Sequence, residues 1–423
     1  MKKIIMTASL AALGAVGLQA AYAPGLSATE RTKPWSVAAT LRGFYDDNYT
    51  TSPEKRSNPA LGTARSSYGM EISPSASLNL PLDQTLISLS YQYSMRYYED
   101  RESGSADHSH QFNARLNHAF TENYRLDLSD SFVIAQEPAL MDPSQTTVPL
   151  RLNGNNMRNT AAAKFSADIT RLFGVELGYS NSIYDYDNDQ YAGLLNRMEH
   201  LITFDTRWHV LPKTVAILGY QYGMVNYDDS RTIDAATYGV AGTVNSKIRD
   251  NRSHYVYAGA DQTINSKLNA SVRLGGQFTE FQNAKSLSGG VLDDSSSIPY
   301  ADASVTYAYT TGSYAQLGIK HSRLATDILA LDQEATTVYG SINHQITAKL
   351  MGSLMGQLQN SSFNQGPFNN SEDNYFVVGL NLTYTINQYL AAEAGYNFDR
   401  LDSDIQDRSF TRNRVYLGLR ASY

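Results

Sequence analysis

Few side chains in this 423-residue chain are spaced for catalysis or metal binding. There are eight His and no Cys. His108-Ser109-His110 is the only close histidine pair, and with no third ligand in reach it reads as loop surface rather than a metal site. Ser52-Pro53-Glu54-Lys55 has a Ser-x-x-Lys spacing, but in a polar loop-like stretch where chance matches are common. No nucleophile, base and acid can be grouped, so the expectation is no enzyme, no metal and no cofactor.

The charges that carry information alternate with apolar residues. Over 70–82, Met70, Ile72, Ala76, Leu78, Leu80 and Leu82 share one parity, while Glu71, Ser73, Ser75, Ser77 and Asn79 share the other. After Asp83-Gln84 the pattern restarts, with Ile87, Leu89, Tyr91, Tyr93, Met95 and Tyr97 against Ser88, Ser90, Gln92, Ser94 and Arg96. Period-two alternation means strands with one apolar face, and a tight turn between two of them means a hairpin.

The unit recurs down the chain. Short turns fall near Asp83, Glu122, Thr170, Pro212, Asn265, Thr311, Ala348 and Asn387. Longer polar loops fall near 46–66, 99–108, 136–156, 185–196, 226–251, 279–296, 322–335, 359–373 and 399–412. These separate about 18 strands, within a range of 16–18 because the parity over 251–262 is weak. Short turns at one end and long loops at the other predict an all-β, membrane-spanning, antiparallel up-and-down β-barrel with short periplasmic turns and long outer loops. Mean hydropathy of -0.38 excludes a bundle of apolar transmembrane helices. Two residues strain the pattern. Pro74 removes a ladder donor inside a strand, which predicts a bulge. Asp130 falls on the apolar parity, which predicts either a one-residue register shift or an interfacial position.

If the apolar set faces lipid, the other parity lines the lumen. That set holds Arg42, Glu71, Arg96, Arg115, Arg125, Asp127, Lys164, Asp168, Glu176, Asp205, Arg207, Arg273, Asp302, Lys320, Glu393, Arg414 and Arg420. A dry core could hold so many charges only if nearly all were paired, so a wet lumen is expected. Barrels of this size leave room for water. The charges either pair across strands and merely hydrate the wall, or form a ladder for a charged solute; the mixed signs leave both open. Aromatic girdles are expected from Phe120, Tyr124, Phe173, Trp208, Tyr307, Tyr384 and Tyr423 near short turns. Tyr45, Tyr97, Phe112, Phe132, Tyr222, Phe278 and Phe398 would make the second, near long loops.

The ends of the chain fit this topology. Lys2 and Lys3, an apolar stretch over 4–18 and Ala21-Tyr22-Ala23 read as a signal peptide over 1–23, with Pro24 blurring the cleavage site. Its loss would take the net charge from -7 to about -9. Residues 24–34 read as a flexible lead-in and 35–423 as one barrel. At the other end Val415, Leu417, Leu419, Ala421 and Tyr423 alternate with Arg414, Tyr416, Gly418 and Arg420. This resembles the C-terminal signal, here Val415, Leu417, Leu419 and Tyr423, that the barrel assembly machinery recognises. The last strand should pair with the first near 37–45.

Acidic clusters in the outer loops (Asp46-Asp47, Glu99-Asp100, Asp185 with Asp187 and Asp189, Asp228-Asp229, Asp293-Asp294, Asp402 with Asp404) read as solvated surface. Cation bridging to lipopolysaccharide is the sharper alternative, although no EF-hand spacing occurs. The long third loop, 136–156, with Ala139, Leu140 and Met141, is a candidate to fold inward and narrow the pore. The fifth, 226–251, competes with it.

The string Gly43-Phe44-Tyr45-Asp46-Asp47-Asn48, the Tyr-rich alternation (30 Tyr) and the aromatic end resemble the putative β-barrel porin 2 type of outer-membrane protein. The resemblance implies a porin-like barrel, some relatives of which stand near polysaccharide export systems. It carries over no functional residues. The expected function is a passive channel for small hydrophilic solutes in the outer membrane, in contact with outer-membrane lipid and lipopolysaccharide, with no nucleic-acid partner. The alternative is a non-diffusive barrel for polysaccharide export or surface adhesion.

Overall fold

The computed structural model describes residues 34–55, 57, 62–102, 104–135, 156–187, 189–228, 232–234, 243–287, 292–310 and 312–423. The signal-peptide stretch, nearly all of the lead-in and the third loop lie outside these residues.

The strands are β1 (Trp35–Asp46), β2 (Ser67–Pro81), β3 (Thr85–Tyr98), β4 (Ala106–Ala119), β5 (Tyr124–Ala135), β6 (Asn156–Asp168), β7 (Phe173–Tyr186), β8 (Arg197–Leu211), β9 (Thr214–Tyr227), β10 (Thr232–Asp234), β11 (Thr243–Asn245), β12 (Asn251–Asn265), β13 (Leu268–Phe281), β14 (Ser295–Thr310), β15 (Ser313–Leu324), β16 (Asp332–Gln345), β17 (Leu350–Asn364), β18 (Glu372–Asn387), β19 (Leu390–Ser403) and β20 (Phe410–Ser422). All but β10 and β11, a small hairpin in the fifth outer loop, form one antiparallel 18-stranded sheet. Each pairs with its chain neighbours, and β1 also pairs with β20, so the sheet is a closed barrel. Two short helices, α1 (Asp189–Leu195) and α2 (Ala284–Leu287), and a 3-10 turn (Ser246–Arg249) lie in outer loops. No helix among the described residues is long and apolar enough to cross a membrane.

Five of the eight short turns use one local device. Thr121, Thr170, Asn265, Thr347 and Asn387 each place a side-chain oxygen where it accepts from the backbone N–H groups two and three residues on. Such turns reverse the chain with few residues, which is why Thr and Asn punctuate the alternation. Register irregularities sit beside four of the short turns, at His209/Leu211, Thr263/Asn265, Ala308/Thr310 and Thr385/Asn387.

Alternation then sorts the side chains. Outward residues are apolar and bare: Leu417 is 68% exposed, Leu218 and Leu274 59%, Leu317 56%. A continuous apolar surface of that kind suits hydrocarbon and not water. The expected girdle residues Phe120, Trp208, Tyr307, Tyr384 and Tyr423 are exposed at the short-turn end. Along the outward face tyrosine hydroxyls share hydrogen bonds with histidines, in Tyr91–His110, Tyr93–His108, Tyr179–His200 and Tyr220–His254. His108 and His110 thus stand on the outward face of β4, a correction to the loop placement; the strand begins at Ala106 and runs into the stretch read as loop.

Pro74 produces no bulge. Between β2 and β3 the pairs Ile72↔Met95 and Ser75↔Gln92 keep the same offset, and only the positions of Ser73 and Pro74 are skipped. The proline ring points outward, and Ser73 Oγ donates to Ser94 Oγ across the gap at 2.9 Å. Asp130 also stays in register with both neighbours, on the outward parity, where Asn159 Nδ2 donates to its carboxylate at 2.9 Å. The weak parity over 251–262 has a plain cause. Tyr257 faces inward and is buried, while Val256 faces outward and is 50% exposed, so hydropathy fails to alternate although the side chains do.

The seam closes where expected, from Ala38↔Ser422 to Asp46↔Arg414. Val37 and Tyr423 exchange backbone hydrogen bonds of 3.1 and 2.9 Å. The rings of Trp35 and Tyr389 flank that of Tyr423 at 5.9 and 6.2 Å.

Candidate channel lumen and its outer cap

Most inward charges meet as compact clusters. Arg42 donates to Glu393 Oε2 through Nε and Nη2 at 3.0 and 2.8 Å, and to Glu71 Oε1 at 3.1 Å. Arg96 holds the other oxygen of Glu71 at 3.1 Å. The Arg42 guanidinium lies over the Tyr416 ring, 4.8 Å from its centroid. That ring occupies the space above Gly395 on the next strand, where a Cβ would sit 2.1 Å from it. Glycine is required there because the tyrosine uses its place.

A second cluster joins Asp46 to Arg412 and Arg414, with Asp46 fully buried. This corrects the reading of Asp46 as solvated loop surface. A third runs from Lys164 and Arg207 through Glu176 (3.7 and 3.8 Å), then from Arg207 to Asp261 (3.2 Å) and Arg273 (2.8 Å). Tyr257 Oη donates to Asp205 beside it at 2.6 Å. Of the remaining expected lumen residues, Asp127 is bonded to Asn117, Asp168 faces His209 at 3.5 Å and Arg125 is exposed near the Glu122 carbonyl. Asp302 stands in register with Arg273 on one side and Lys320 on the other.

The open space lies against a different part of the wall. A cavity of about 840 Å³ is lined chiefly by β2–β9 and β12–β15. Of the charges expected in the lumen, Arg115, Lys320 and Arg420 line it. On the β1–β7 side the lining is mostly short and neutral. Ser36, Ser77, Ser90, Asn113, Ser131, Thr160 and Ser182 are successive register partners across seven strands and form one row around the barrel. Hydrogen bonds of 2.7 to 3.3 Å link Ser36 to Ser77, Asn113 to Ser90 and Ser131, and Thr160 to Ser182. Short side chains here leave space, whereas on β16 to β19 the inward Thr337, Met355, Gln357, Gln359, Val377 and Glu393 are buried. The cavity is therefore eccentric, set toward the β2–β9 side.

Its outer end is roofed by loops. Leu324, Ala325 and Leu331, at the edges of the seventh outer loop, line the cavity from above. The four residues Ile328, Leu329, Ala330 and Leu331 are all at most 8% exposed and enter three separate apolar clusters. Leu329 packs with Tyr184, Tyr186, Leu194, Leu195 and Ile233, Leu331 with Ile248, Phe281 and Ala284, and Ile328 and Ala330 with Phe363. Polar ties cross the same loops. Arg249, fully buried, donates to the carbonyls of Leu194 and Thr326. Ser246 Oγ donates to the Gly193 carbonyl at 2.7 Å. Arg408 pairs with Asp327 at 2.7 Å and with Asp373 at 2.7 Å. Burial opposes the charge on Arg408, but the two carboxylates outweigh it and hold the guanidinium above its ordinary pKa.

The fifth loop, one of the two expected to turn inward, contributes Ile233 and Ile248 to this cap. The seventh, which the loop boundaries alone did not single out, is its centre. Its signal was present as an apolar run, Ile328-Leu329-Ala330-Leu331, inside a loop. Among the described residues no cluster of His, Cys, Asp and Glu could hold a metal ion.

A family model described as putative beta-barrel porin 2 matches residues 245–423. That segment runs from β11 through the seam and includes the seventh loop. No curated protein matches the chain. Solved structures similar to it include OccAB4 of Acinetobacter baumannii, with 12% identity, 92% of this chain, 99% of that chain and a TM-score of 0.43. OpdK of Pseudomonas aeruginosa matches with 10% identity, 92% and 99% coverage and a TM-score of 0.42. A BenF-like porin from Pseudomonas fluorescens Pf-5 matches with 10% identity, 92% and 99% coverage and a TM-score of 0.43.

Proposed function

We propose that this barrel is an outer-membrane channel for the passive diffusion of small hydrophilic solutes. The observation that carries the reading is the cavity of about 840 Å³, walled on its β1–β7 side by a row of short hydroxyl and amide side chains, inside a closed barrel whose outer surface is apolar. That volume lies within the range of pockets that hold small molecules. The chemistry of the wall is that of transport and not of catalysis. The chain would reach its membrane after loss of 1–23, through recognition of Val415, Leu417, Leu419 and Tyr423 by the barrel assembly machinery. Its outer loops would then face lipopolysaccharide.

The packed cap favours one competing reading, a barrel that does not conduct by diffusion and serves export or adhesion. Liposome swelling separates the two. Liposomes carrying the folded chain are expected to swell in iso-osmotic arabinose faster than protein-free liposomes, and more slowly in raffinose than in arabinose. Swelling no faster than that of protein-free liposomes would sink the channel reading in favour of the second.

A further inference from the structure

The charges of the lumen cancel unevenly. In the three clusters each guanidinium or ammonium has a carboxylate within 4 Å. Along the cavity wall Arg323 is matched by Asp332, and Glu199 by Arg197. Two lining cations are not matched in this way. Among the described residues, Arg115 and Lys320 have no hydrogen bond or ion pair. The register partners of Arg115 are Ser88 and Ser129, both short and both on the cavity wall. Its guanidinium therefore stands above its neighbours with all its donors available to a solute. Lys320 has Asp302 as a register partner, with Arg273 on that residue's other side, but no ion pair joins Asp302 to either among the described residues. No acid lining the cavity from the inward parity is left without a partner.

We propose that the cavity is a binding site for small organic anions that carry hydroxyl groups, with Arg115 as the principal anion contact, Lys320 as the second, and the Ser90–Asn113–Ser131 row for the hydroxyls. The two cations give the cavity a positive potential, which the narrow low-dielectric wall focuses on the space. The row supplies groups that both donate and accept, at the spacing of adjacent strands, about 4.8 Å. A guanidinium binds a carboxylate by two parallel hydrogen bonds, which adds orientation to attraction. The proposal rests on the channel reading only in that solutes must reach the cavity.

The chain has no Cys, so a single cysteine reports the site without background. Ser131→Cys, in the full chain folded in lipid, is treated with a sulfonate-bearing and a trimethylammonium-bearing methanethiosulfonate. Each rate is divided by that for a free small thiol. The anionic reagent is expected to be favoured roughly tenfold. The preference should fall to about one in Arg115→Ser/Lys320→Gln and persist in Arg115→Lys. A preference at or below one in the parent would overturn the proposal and leave the channel reading standing. No reaction with either reagent, in protein shown to be folded by its heat-modifiable migration, would overturn both. Gluconate should protect the cysteine at lower concentration than hexanoate; equal protection would remove the hydroxyl part of the proposal.

Discussion

Arg42→Ala should lower the stability of the barrel by about 3–5 kcal/mol, the usual cost of removing one partner from a buried ion pair. The cause is local. Glu393 is 1% exposed and Arg42 supplies both of the hydrogen bonds to its Oε2. Glu71 keeps Arg96, so the loss falls mainly on Glu393. The effect is structural as well as electrostatic, because β1 carries Arg42, β2 carries Glu71 and β19 carries Glu393. The cluster thus clamps the strands on both sides of the seam. Urea titration of the chain folded into vesicles would show it as a lower midpoint at unchanged slope. Arg42→Met combined with Glu393→Met removes both partners and should recover the parent midpoint to within about 1 kcal/mol. If Arg42→Ala itself unfolds within about 1 kcal/mol of the parent, the pair is hydrated and the tight clamp described here is wrong.

The second large effect is expected in the cap. Arg249→Ala strips the hydrogen bonds from the buried carbonyls of Leu194 and Thr326, which lie on two different loops. Hydrogen bonds to a charged group are worth about 1.5–3 kcal/mol each. Water entering the vacated space offsets part of that, so local opening of the cap should rise at least about tenfold while the barrel itself stays intact. Proteinase K should then cleave around residues 187–196 and 325–331 at least about tenfold faster than in the parent, with the same heat-modifiable migration of the full barrel. Equal cleavage rates would mean that the apolar clusters around Ile328 to Leu331 hold the roof without Arg249.

The barrel was legible in the sequence because its main signal is local. Parity can be read residue by residue, and Thr170, Asn265 and Asn387 mark turns by chemistry that acts over three residues. The strand number and the seam partners of Val415 to Tyr423 both followed from that. What could not be read depends on which strands lie side by side and how far they are staggered. Nothing in the surroundings of Arg42 in the chain points to Glu393, yet their side chains meet. Nor does composition show that Arg115 stands between Ser88 and Ser129 while Arg273 stands beside Asp261. The seventh loop was missed for a related reason. A loop boundary is set by polarity, and the apolar run at 328–331 has meaning only when the neighbouring loops arrive around it. Pro74 misled because a proline was weighed by its lost donor. The outward face of β2 accommodates the ring, and Ser73 bridges the gap to Ser94.

The proposed function requires a water-filled path across the membrane through the capped barrel. Current through a planar lipid bilayer tests it most directly, with the refolded chain and Arg249→Ala recorded side by side. Discrete current steps of uniform size are expected for both, scaling with the conductivity of the bath, with longer openings in the variant. A flat trace from both proteins, each shown to be folded and inserted, would contradict it.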